Sequence, residues 1–98
     1  MPQGTTTVDF GAFPGGPSAS RAVTGQTAIQ ASSLVEAWIY PVATADHSVD
    51  EHIVDPPRVV AATIVAGTGF TIYGYATAPG GSTYPTTYGL WNVAWAWN

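Results

Sequence analysis

Residues 91–98, WNVAWAWN, place Trp91, Trp95 and Trp97 at odd positions with Val93 between them. Successive side chains of a β-strand point to opposite faces, so this spacing puts all four on one face. An aromatic side chain of this size buries about 150–250 Å², and the three indoles together ask for about 450–750 Å² of cover. The largest apolar patch that a monomer leaves exposed is about 300–600 Å². Either the domain's own core or another protein must take this ridge. Position along the chain divides it: Trp91 and Val93 belong in the core, Trp97 lies one residue from the end and is expected on a neighbouring subunit, and Trp95 fits either set.

Working outward, the rest of the composition agrees with strands. Val, Ile and Thr number 28 against two Leu, Leu34 and Leu90, and β-branched residues favour sheets. Eleven Gly and eight Pro punctuate the strand-like runs, as turns require. Ninety-eight residues are one domain's worth of chain. The expected architecture is a single all-β domain over 1–98, a small antiparallel β-sandwich or jelly-roll-like barrel.

Charge is scarce. Only 8% of residues are charged, Arg21 and Arg58 are the sole basic residues, and there is no Lys. Lys is commonly used to blunt sheet edges against pairing, so its absence points to edges that are covered or meant to pair, and to self-association as a closed dimer or trimer. A net charge of -4 cannot neutralise a row of phosphates, which argues against a nucleic-acid partner and equally against an anionic membrane surface. No apolar run has the length of a spanning helix, and the start MPQGTTTVDF does not read as a secretory signal. Zero Cys rules out disulfides and thiolate chemistry.

Along the chain, 5–10 is a first strand, GAFPGGP at 11–17 a loop carrying Phe13, and 20–29 a strand broken near Gly25. In 33–40, SLVEAWIY, Val35, Ala37 and Ile39 share one face while Glu36, Trp38 and Tyr40 share the other, until Pro41 ends the ladder. RVVAATIV at 58–65 and FTIYGYA at 70–76, joined by AGTG, read as a hairpin. The first of these is nearly all apolar and is expected to be central. A loop at 77–87 precedes the last strand, for about seven strands in all.

The polar excursion ATADHSVDEHIVDPP, 43–57, holds Asp46, His47, Asp50, Glu51, His52 and Asp55. Ser48 followed by Glu51 has the form of a capping box, so one helical turn is expected. Imidazoles beside carboxylates are ligands for Zn, Mn or Fe, but His47 and His52 are five apart, a spacing that faces them together on neither a helix nor a strand. The expected reading is a solvated acidic loop without metal. Nor is there a GxSxG elbow, and the glycines of VAGTGF and APGG are followed by no Lys that would mark a phosphate cradle. No enzyme and no cofactor are expected. Tyr73, Tyr75, Tyr84, Tyr88 and Trp38 are aromatic groups of the kind on which lectin-like modules stack sugars, which makes a carbohydrate-binding module the competing class. A small metal-dependent enzyme is a third.

VDFGAFPGG, SLVEAWIYPVATADHSVDEH, VAGTGFTIYG and YGLWNVAWAWN resemble segments of small virion structural proteins of tailed bacteriophages. The resemblance covers most of the chain and brings no catalytic residues. It implies a protein made in the host cytoplasm and assembled on the virion, most simply a capsid decoration (cement) protein that buries interface against copies of itself and the major capsid protein; the alternative is a tail or fibre component. The candidate interface residues are Trp97, Trp95, Trp38, Tyr84 and Phe13.

Overall fold

The computed structural model describes residues 2–77 and 85–98. The elements run β1 (Gln3–Asp9), β2 (Ser18–Val23), β3 (Val35–Ile39), α1 (Val49–Val54), β4 (Arg58–Val65), β5 (Gly69–Tyr75) and β6 (Leu90–Trp97). The protein is mostly β, with two three-stranded antiparallel sheets in the orders β1-β6-β3 and β2-β5-β4. Six strands form among the described residues, one fewer than expected. The run at 20–29 contributes strand only as far as Val23, because Gly25 at φ 79 turns the chain away.

The Trp-rich strand β6 is the centre of its sheet, and its odd-numbered side chains all face inward. Trp91, Val93, Trp95 and Trp97 are buried and join Val8, Phe10, Val23, Ile29, Phe70 and Ile72 in one cluster fed by both sheets. Phe70 of β5 meets Trp95 edge-on, with ring centroids 5.6 Å apart. Two glycines make this closeness possible. A Cβ on Gly4, opposite Trp95 in the register, would lie 2.6 Å from the indole, and one on Gly74 of β5 would lie 2.9 Å from Phe10. Inner positions of β3 (Val35, Ala37 and Ile39) pack against the same cluster, as their alternation predicts.

Two expectations are corrected here. Trp97 is only 9% exposed, and its indole N–H donates to Gln26 Oε1 at 2.9 Å. The loop after β2 folds over the chain's end and covers the residue that its position seemed to leave outside. Strand β4 is an edge strand, and β5 is the central one. Its apolar composition misleads because Val60 and Val65 are exposed. A register break between Ala62 and Val65, with Thr63 at φ 57, interrupts the ladder, and such a bulge is one way to blunt an edge without Lys.

Candidate functional site

Strand β3 ends where Pro41 removes a donor, yet β6 and the segment before it still present backbone groups on that side. Backbone groups that point to one neighbour recur at every second residue of an antiparallel strand, here 88, 90 and 92. Left alone they would need other partners. The 44–52 segment supplies them from side chains. His47 Nε2–H donates to the Tyr88 carbonyl at 2.6 Å; the Leu90 N–H donates to Asp46 Oδ2 and the Leu90 carbonyl accepts from Thr44 Oγ1–H, both at 2.8 Å. The Asn92 N–H donates to His52 Nε2 at 3.0 Å, while its carbonyl accepts from the Tyr40 N–H. The polar excursion therefore continues the sheet with side chains in place of a strand.

The expectation of a solvated loop is thus corrected: His47 and His52 are both buried. The Ser48–Glu51 capping box does form and starts α1, which brings the two imidazoles together over Trp91. The His47 ring stacks on the indole at 3.8 Å and the His52 ring meets it at 4.9 Å. Spacing along the sequence missed this because the histidines lie on different elements, one before the cap and one inside the helix.

Hydrogen bonding fixes what these rings can do. His52 Nδ1–H donates to the Ser48 carbonyl at 2.7 Å and Nε2 accepts from Asn92, so the ring is the neutral Nδ1–H tautomer with no free lone pair. His47 faces acceptors on both sides, the Tyr88 carbonyl and Glu51 Oε2 at 2.8 Å. A proton must lie between Nδ1 and the Glu51 carboxyl, and it ties the ring to the start of α1. Ser48 Oγ is occupied by the Glu51 N–H. These bonds hold the segment against the approach to β6, with the Glu51 side chain half exposed. Among the described residues, no group of three or more His, Cys, Asp or Glu converges as a metal site.

The His47 hydrogen bond, followed by the Ser48 backbone N–H, holds the Glu51 carboxyl below its ordinary value of 4.5. A depressed carboxyl contributes stability above its unfolded value, and that contribution is lost as pH falls through the lower folded value. The melting temperature should therefore decline more steeply below about pH 4.5 in the native chain than in Glu51→Gln. The Glu51 side chain is 49% exposed, so solvent screening keeps the difference small. Parallel melting curves from about pH 6 to pH 3 check this.

The surface is the other candidate. Of the expected interface residues, Trp95 and Trp97 are buried in the core, Trp38 and Phe13 are exposed, and Tyr84 lies outside the described residues. Phe13, 78% exposed, packs edge-on against Tyr88, whose ring in turn lies 4.8 Å from His47. The same end of the molecule carries α1, on which Val49, Ile53 and Val54 are exposed. Sequence reasoning passed over these three, although the capping box marks a helix and the spacing of 49 and 53 puts them on one side of it. Comparison with protein-family models, with curated proteins and with solved structures finds no match for this chain.

Proposed function

We propose that this chain is a structural protein of a tailed-bacteriophage virion, a capsid decoration protein with a small β-sandwich fold. It acts by burying apolar surface against copies of itself and the major capsid protein. The observation that carries the reading is the exposure of four large apolar side chains, Phe13 and the Val49, Ile53 and Val54 of α1, on a chain with no Lys and only eight charged residues. Large apolar side chains left in water are a mark of interaction surfaces. A cluster shared by two three-stranded sheets supports the sandwich, and the segment resemblances support the virion.

The test is assembly. Sedimentation at micromolar concentration should give a dimer or trimer, and labelled chain should decorate purified phage particles. Phe13→Ser and Ile53→Asp should each weaken self-association by about thirtyfold, the factor corresponding to a hot spot of about 2 kcal/mol, without moving the melting temperature. A 10.2 kDa monomer that binds no particle would sink the proposal. Imaging the label on capsid or tail separates decoration protein from tail or fibre component.

A further inference from the structure

The outer face of the β1-β6-β3 sheet is a groove, and its register spells out three rows across it. Glu36, Ala96 and Gln3 form the first; Trp38, Ala94 and Thr5 the second. Tyr40, Asn92 and Thr7 form the third, joined by the Tyr40 N–H donating to the Asn92 carbonyl. The β3 wall thus carries two aromatic rings beyond Glu36, the floor is Ala96 and Ala94 up to Asn92, and the β1 wall is neutral and polar. From the first row to the third the groove runs about 13 Å along the strands, and its walls stand about 10 Å apart.

We propose that this groove binds a short stretch of a neutral glycan. Trp38 and Tyr40 are 44% and 41% exposed, and neither ring is stacked on another aromatic ring among the described residues. Adjacent on one strand face and about 7 Å apart, they offer apolar surface to successive sugar rings. Opposite them, the Gln3 amide and the Thr5 and Thr7 hydroxyls make no side-chain hydrogen bond within the described chain, and they face the hydroxyl edge of the same ligand. Ala94 and Ala96, 7% and 3% exposed, keep the floor low where larger residues would fill the groove.

Charge selects the ligand further. No Arg or Lys stands in any of the three rows and Glu36 closes one end, so an anionic polysaccharide is repelled. An extended peptide finds little here, because the β6 backbone beneath the groove is already paired on both sides and offers no strand-addition bonds. Glycan binding stands independently of the virion proposal, which rests on Phe13 and α1.

Trp38 is the only one of the four Trp that is exposed, so indole fluorescence reports this groove. Cellohexaose, chitohexaose and laminarihexaose serve as neutral probes, with a hyaluronan hexasaccharide as the anionic one. At least one neutral probe should shift the emission to the blue in a saturable way at millimolar concentration or below. By calorimetry, Trp38→Ala should weaken that binding at least about tenfold while leaving the melting temperature in place, and Phe13→Ser should leave it unchanged. The proposal is overturned if no neutral probe binds below about 5 mM, if Trp38→Ala binds as the native chain does, or if hyaluronan binds best.

Discussion

Trp91→Ala is expected to destabilise the isolated chain by about 3–5 kcal/mol, the cost of truncating a large buried aromatic. Small domains have roughly 5–15 kcal/mol of stability in total, so the variant should melt far below the native chain. Trp91 is 2% exposed and is the surface on which both imidazoles rest. Its loss empties the core and removes the floor of the segment that completes the sheet. Trp97→Ala should behave in the same way and not as an interface variant, because its indole is buried and bonded to Gln26. Chemical denaturation of both variants, beside Trp38→Ala as an exposed control, decides the point. A Trp97 variant with native stability and weakened association would return that residue to the interface.

How far the fold was legible follows from which kind of interaction sets each part. The alternation of Trp91, Val93, Trp95 and Trp97 is local, and it correctly put all four on one face. Whether that face is covered depends on chain elsewhere, on Gln26 and on the room left by Gly4, and no periodicity records this. The hairpin of β4 and β5 was visible because both strands and the turn lie in one window. Which of the two is central was not, since that depends on where β2 pairs, and an apolar run reads alike on a buried strand and on a bulged edge.

The histidine segment shows the same limit at a finer scale. The capping box was legible because its partners are three residues apart and both bonds form. The carboxylates and imidazoles looked like ligands or solvated charge because those are the uses their chemistry suggests when the chain is read alone. Their partners at 88, 90 and 92 are about forty residues away, and a sheet edge needing acceptors has no signature of its own beyond Pro41, which ends β3. Trp38 and Tyr40 were assigned correctly to the face opposite the core, but the low floor beneath them came only with the register.

The second large effect should come from His52. Removing its ring in His52→Ala takes an acceptor from the Asn92 N–H and packing from Trp91, and an unsatisfied backbone donor alone costs about 1–3 kcal/mol. With the cavity added, a loss of about 2–4 kcal/mol is expected. His52→Phe keeps the ring volume but not the acceptor, so it should lose only the hydrogen-bonding part. Amide exchange gives the sharper reading. In the native chain the Asn92 N–H should be protected although no strand pairs with it there, and in both variants its protection should fall while Val93 and Trp95, bonded towards β1, keep theirs. Free exchange at Asn92 in the native chain would mean that the imidazole does not complete the edge. Protection that survives His52→Phe would assign the role to packing, leaving Thr44, Asp46 and His47 as the side chains that bond the backbone of residues 88 and 90 among the described residues.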